Sequence, residues 1–432
     1  MNIYPESIHK LENTTVCVAQ SDCEDILMIT GANPGFSGTR QADKFIAPLT
    51  HDNAVLLRKL FAFTAPKPVL SHARTFGLGD RLGIATPGHI RAFTAYDAMP
   101  VFAQQSIREL NLTNRTFADV LDCATFAVFR EDFQRGYGAD GDHLKTDEEI
   151  EYALENGYSM ITLDCSEHIR NDVTRMTDDE KSAALIYGAA IDFIERVYHK
   201  YIERKSIDFE ISIDETMTPT TPEQHYFVAN ELTRRGVRFE TIAPRFCGEF
   251  QKGIDYIGDI EQFTRELDAH AAIARNFGYK LSLHSGSDKF SIFPMLGRGT
   301  KGVFHVKTAG TYWLEAMRVV AMTDPAMYRE VHAFALSAFS EAKKYYHVTT
   351  DVAGIPALDS LADDQLPQLF EQSDARQLVH ITYGLILNAK DAAGRYCFKD
   401  RLYSLWRVKA ELYAKRLERH IGKHMQLLYD GF

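Results

Sequence analysis

KLSLHSGSDKFSIFPMLGRGTKGVFHVK, residues 280–307, holds two strand-like runs, each with a histidine at or near its C-terminal end. The first, Lys280–Leu283, runs into His284, and the second, over 303–306, contains His305. A Gly/Ser turn and a basic, glycine-rich loop from Gly297 to Gly302 separate them. In parallel-stranded folds the chemistry sits where strands end and loops begin. Two imidazoles at such ends, beside Ser285, Asp288, Lys289 and Lys307, read as a metal site next to a site for an anionic substrate. The competing reading of each histidine is a half-buried side chain with its hydrogen bonds satisfied.

Working outward, the same strand-then-helix rhythm recurs. Strand patterns fall at 68–74, 126–129, 159–163, 209–213 and 239–243, with a last one at 346–350. Helical patterns follow at 100–110, 146–156, 177–202 and 261–277, and Thr221-Pro222-Glu223 opens another with Thr as N-cap and Pro at the first helical position. About eight strands, spaced roughly 30–50 residues apart and mostly followed by helices, predict an α/β fold. The count favours a closed (β/α)8 TIM-type barrel over an open doubly wound sheet. The barrel is expected over 66–350, after an N-terminal entry segment (1–65) with short strands and a helix, and before a C-terminal helical extension (351–432).

A formal net charge of −11 argues against nucleic acid or an anionic membrane as the main partner. It leaves room for a small acidic substrate held by a few local Arg and Lys side chains. The six cysteines form no CxxC pair and read as reduced thiols of a cytosolic protein. The first residues lack a basic-then-apolar signal pattern, and no apolar run approaches the roughly 20 residues of a bilayer span. A soluble, cytoplasmic protein is the expectation, and the exposed face of its C-terminal helices offers a surface for a homo-oligomer.

In a barrel, strand ends project into one mouth however far apart they lie in sequence. The predicted ends supply Arg74, Glu131, Asp164, Glu215, His284, His305 and Lys307. Asp, Glu and His together suit a divalent ion such as Zn, Mn, Ni or Co. Asp164, Glu215, His284 and His305 form the expected metal set, against helix N-capping as the other role for the two acids. Glu131 is the expected general base, with Asp164 beside it as a catalytic group; a salt bridge of Glu131 with Arg130 or Arg135 is the bland reading. Arg74, Ser285, Asp288, Lys289 and Lys307 are the expected substrate-binding residues. Gly77, Gly79 and Gly83 do not meet the GxGxxG spacing, so the loop after residue 74 reads as close-packed lining rather than a dinucleotide site. The basic loop 297–302 resembles a phosphate loop in composition but lacks the GxxxxGK[ST] order.

RTFGLGDRLGIATPGH (74–89), TLDCSEH (162–168) and HSGSDKF (284–290) resemble stretches of the tagaturonate epimerase family. The resemblance implies a metal-dependent, barrel-shaped enzyme that interconverts tagaturonate and fructuronate in hexuronate breakdown, with relatives acting on tagatose and fructose. The inverted carbon lies β to the ketone, so deprotonation next to the carbonyl cannot invert it. Retro-aldol cleavage, rotation of the aldehyde fragment and re-addition is the expected route. Two other readings stay open: a metal-dependent aldolase or ketose isomerase on the same barrel, and a non-catalytic sugar-acid binding protein.

Overall fold

The computed structural model describes residues 1–21, 24–172 and 182–432. Six short strands come first: β1 (Asn2–Ile3), β2 (His9–Leu11), β3 (Thr14–Ser21), β4 (Glu24–Thr30), β5 (Thr39–Gln41) and β6 (Lys44–Pro48). They form one antiparallel sheet in the order β1-β3-β4-β6-β5, with β2 on β3. One face of this sheet, through Val16, Val18, Leu27 and Ile29, packs with Phe126 and Phe129.

Eight parallel strands then close a barrel in chain order: β7 (Arg74–Leu78), β8 (Met99–Ser106), β9 (Gly138–Leu144), β10 (Met160–Asp164), β11 (Asp208–Ile213), β12 (Thr241–Pro244), β13 (Lys280–Leu283) and β14 (Phe304–Thr308). β14 pairs with β7 and completes the ring. Strand alternation sorts the side chains. In β14, Phe304 and Val306 join the outer hydrophobic core, while Lys307 reaches the carboxylates of β9 and β11 inside. In β11, Phe209, Ile211 and Ile213 pack outward and Glu210 faces the lumen.

The barrel expectation holds, but several of its pieces move. Residues 126–129 are not a strand; they lie in the helix Phe117–Arg130, opened by a capping box of Thr116 and Asp119. That helix is apolar on two sides because Val128 faces the barrel core while Phe126 and Phe129 face the N-terminal sheet. A short run buried on both sides cannot be told from a buried strand by period alone. The segment read as helix over 100–110 is strand β8 as far as Ser106, buried along its whole length, and is helical only from Ile107, where Ser106 caps the helix Ile107–Thr113. Residues 346–350 form no strand. The strand that replaces it in the count is β9, GADGDHL, whose Gly and Asp content disfavours a strand by propensity. The strand expected at 68–74 begins only at Arg74. The helix expected over 177–202 is helical from Ala183, and residues 177–181 lie outside the described ones.

The helix Ala410–Tyr429 packs on the helices Thr86–Phe93 and Phe293–Gly299. Residues 297–302 therefore lie at the entry to β14, at the end of the barrel away from the mouth, where Gly297 abuts the Leu428 carbonyl.

Candidate active site

A cavity of about 440 Å³ opens at the C-terminal ends of the barrel strands. His143 at the end of β9, Asp214 just after β11 and His284 just after β13 line it together. One ligand atom from each lies within 4.8 Å of the other two. Asp214 Oδ1 is 3.2 Å from His284 Nδ1 and 3.8 Å from His143 Nε2.

The other nitrogen of each ring is occupied. His284 Nε2 donates to Glu210 Oε1 (2.8 Å), and His143 Nδ1 donates to Asp142 Oδ1 (2.7 Å). A carboxylate behind each imidazole fixes the ring and turns the remaining nitrogen toward the shared point, the arrangement common behind metal-ligating histidines. Asp142 and His143 are consecutive, yet both serve this site. The β9–β10 ladder gains an extra β9 residue there, pairing Gly141 with Ile161 but Leu144 with Leu163, and His143 sits at φ 54°. Such a bulge re-aims side chains that simple alternation would send to opposite faces.

Beneath lies a charged layer. Lys307 Nζ is 2.7 Å from Asp140 Oδ2, 2.6 Å from Asp142 Oδ1 and 3.0 Å from Glu210 Oε1, and it donates to Thr162 Oγ1 at 2.6 Å. Burial opposes the ammonium charge, but the three carboxylates outweigh it and hold Lys307 well above the ordinary lysine range. Burial, offset in part by Lys307, pushes Asp140 up to about 6, which makes it the carboxyl of this layer that most readily takes a proton. Burial alone would lower His284 and His143. Asp214 and Glu210 raise the first, and Asp142 and Asp214 raise the second well above its usual value. An ion bound at this point would displace any proton from the two ring nitrogens that face Asp214. The donor set, its orienting carboxylates and the open cavity beside it fit a divalent ion.

The expected site residues divide. His284, Glu215, Ser285, Lys289 and Lys307 do line the cavity. Glu215, however, stands one residue past Asp214, the acid actually placed beside the histidines. Lys307 is engaged by carboxylates below the site, and Lys289 Nζ is spent on the carbonyls of Gln251, Ile254 and Ser287. His305 sits two residues deeper in β14, with Nδ1 against Thr75 Oγ1 (2.8 Å), and burial lowers it to about 3; it does not reach the cavity. Asp164 also lies outside the lining. Its Oδ1 accepts the Ser166 N–H (2.8 Å), and Lys145 lies 3.4 Å from Oδ2. Glu131 caps the C-terminus of the helix Phe117–Arg130 and pairs with Arg130 (2.9 Å), so it is not placed to act as the base. Arg74 starts β7 at the opposite end of the barrel and bonds Asp97. The sequence reading passed over His143, Asp142, Glu210 and Asp214. Asp-Gly-Asp-His over 140–143 was the available signal, obscured by its weak strand character.

Asp288 belongs to a second polar group, with His420 and His424 of the helix Ala410–Tyr429. Its Oδ1 lies 2.9 Å from His420 Nε2, its Oδ2 bonds Arg376, and its N–H donates to His424 Nε2 at 3.0 Å. Asp288 Oδ1 makes no hydrogen bond among the described residues, but the ion pairs of its carboxylate with His420 and Arg376 clamp the loop after β13 to the C-terminal helices. Burial opposes the Asp288 charge, and His420 and Arg376 hold its carboxyl well below the usual range. Asp288→Asn is expected to cost about 3 kcal/mol in urea unfolding at pH 7, the scale for breaking a buried ion pair. Because the folded value is depressed, this contribution is present above about pH 4, the unfolded value, and is lost as pH falls toward the folded one. A variant as stable as the wild type at pH 7 would refute the clamp.

Known proteins place this architecture. A family model described as tagaturonate epimerase matches residues 4–184 and 179–428. The chain belongs to the tagaturonate epimerase family. It is 40% identical to the tagaturonate/fructuronate epimerase of Thermotoga maritima, over 99% of this chain and 96% of that protein. Crystal structures of the fructuronate–tagaturonate epimerase of Cohnella laeviribosi superpose with TM-scores of 0.97 (one glycerol complexed) and 0.96 (native). Each is 45% identical and is matched over 99% of this chain and 96% of its own. Among the described residues, no helix of this family member is long and apolar enough to cross a membrane.

Proposed function

We propose that the chain interconverts D-tagaturonate and D-fructuronate at the barrel mouth, as a step of hexuronate breakdown in the cytoplasm. Family membership over nearly the whole chain supports the reaction. The observation that carries the mechanism is the pairing of His143 with Asp142 and of His284 with Glu210, which leaves one nitrogen of each ring aimed at Asp214. His143, Asp214 and His284 would hold a divalent ion such as Zn, Mn, Ni or Co. When bound, it would supply Lewis-acid polarisation of the substrate ketone.

The protein's own groups carry the rest. Glu215 lines the cavity next to Asp214, and its nearest cation among the described residues, Lys145, is 4.0 Å away. Asp142, Asp214 and Glu109 are each tied to closer ionic partners, and the remaining lining carboxylate, Glu249, accepts from Gln251 Nε2. Glu215 is thus the free carboxylate proposed to take the proton of the hydroxyl on the inverted carbon. As that proton leaves, the bond from this carbon to the one beside the ketone breaks. Its electron pair passes into the three-carbon enediolate, and the other fragment becomes an aldehyde. The aldehyde turns, the bond re-forms on its other face, and Glu215 returns the proton.

NMR of the purified protein with D-fructuronate tests this directly. Tagaturonate is expected with added Mn²⁺, Ni²⁺ or Zn²⁺ and not after chelation, and Glu215→Gln should lose turnover while keeping its metal. Undiminished turnover in chelator would rule out a removable ion. Lasting accumulation of three-carbon products would point to an aldolase instead.

A further inference from the structure

The cavity that holds His143, Asp214 and His284 also carries an excess of cations. Arg81, Arg108 and Lys252 line it. Arg81 is 2% exposed and gives Nε and Nη2 to Glu109 Oε1, at 3.0 and 2.6 Å, with its guanidinium 4.1 Å over the Tyr383 ring. Its third nitrogen, Nη1, is buried with no hydrogen-bond partner among the described residues, as are both ring nitrogens of His380 beside it. Gly310 keeps this space open. A Cβ there would lie 2.0 Å from His380 Nε2 and 3.0 Å from Arg81 Nη1.

Lys252 Nζ donates to Ser285 Oγ at 3.1 Å, next in sequence to His284, and pairs with no carboxylate among the described residues. Arg108 packs on the Tyr346 ring at 5.4 Å and likewise lacks an ion pair among them. Glu109 offsets one of the three charges, and Glu215 is the other acidic neighbour of Arg108 and Lys252. A buried guanidinium nitrogen without a partner and two unpaired cations in one cavity call for an anionic ligand.

We infer that Arg81, Arg108 and Lys252 form the wall that anchors the substrate carboxylate, with Arg81 donating through Nη1 and Lys252 acting as a point charge. The inference rests on the epimerase reading and says what that reaction gains from it. Cleavage leaves the carboxylate on the aldehyde fragment. A clamp on that end keeps the fragment from escaping and confines its motion to rotation about the anchored end. The same wall selects uronates over neutral ketoses, because a site built to pair a charge is left unpaired by an analogue lacking it.

Calorimetric titration of D-fructuronate into the as-purified protein tests the wall apart from turnover, with D-fructose as the uncharged control. Lys252→Met and Arg108→Met should each weaken uronate binding by about ten- to a hundredfold, the scale of a charge-assisted hydrogen bond. Arg81→Lys, which keeps a cation beside Glu109 but loses the free nitrogen, should do the same. None should change the weaker response to D-fructose, and the melting temperatures report whether each variant folds. Uronate affinity unchanged in all three variants overturns the inference, as does a parallel loss for both sugars in folded variants. Wild-type protein that binds the uronate through these residues but never epimerises it would support the wall and overturn the epimerase reading.

Discussion

His143→Ala is expected to strip the divalent ion from the purified protein and to lower kcat/KM for D-fructuronate by at least about a thousandfold, the equivalent of the several kcal/mol that a Lewis-acid contact supplies. The ring sits where Asp214 and His284 also aim a ligand atom, so its loss leaves two protein ligands for an ion that needs at least three. The group behind the ring should matter less. Asp142→Asn keeps the shape but weakens the acceptor for His143 Nδ1–H, and such outer partners cost about 10–100-fold in metal affinity. The ordering is therefore His143→Ala well below Asp142→Asn, and Asp142→Asn below wild type, in metal content by mass spectrometry and in kcat/KM alike. A His143→Ala protein that retains a full complement of metal and wild-type turnover would remove this centre from the mechanism. Rescue of Asp142→Asn by excess metal, without rescue of His143→Ala, would separate a positioning carboxylate from a ligand.

The fold was legible because β10, β11, β12 and β13 carry apolar, strand-compatible runs at regular spacing with helices between. β13 pairs with β14 and β14 with β7, which closes the ring. The site was only half legible, for physical reasons. His284 follows a strand that reads as one, so its place at the mouth could be deduced. His143 stands one residue before the end of a strand, GADGDHL, whose Gly and Asp residues a lumen full of paired charges accepts and propensity rejects. Glu131 was misplaced with the helix that carries it, because Phe126 and Phe129 are apolar to cover the N-terminal sheet rather than to build the barrel. His305 and Glu210 show a further limit. Strand alternation sends both inward, but only depth along the strand decides whether a lumen residue reaches the cavity or, like His305, stops a layer below it. Glu215 against Asp214 is a difference of one residue, which strand-end reasoning does not resolve.

Lys307→Met should be the most destabilising single change near the site. The ammonium is 3% exposed, Asp140 and Glu210 are 0% exposed, and all lie within 3.0 Å of contact with it. Removing the cation leaves Asp140, Asp142 and Glu210 facing one another in a buried layer, and losing one partner of a buried ionic group costs about 3–5 kcal/mol. Part of that cost can be returned without restoring the lysine. Asp140 is the carboxyl already pushed toward protonation, so Asp140→Asn removes a charge the layer tolerates least once Lys307 is gone. The double variant Lys307→Met/Asp140→Asn should therefore be more stable than the sum of the two single losses predicts, with a coupling of about 0.5–3 kcal/mol in urea unfolding. Activity should not return with stability. Lys307 also holds Glu210 and Asp142, the carboxylates that aim His284 and His143, so the refolded double variant should bind metal more weakly than the wild type. Additive losses would mean that Lys307 and Asp140 act independently, and full activity in the stable double variant would mean that the charged layer shapes the barrel without orienting the histidines above it.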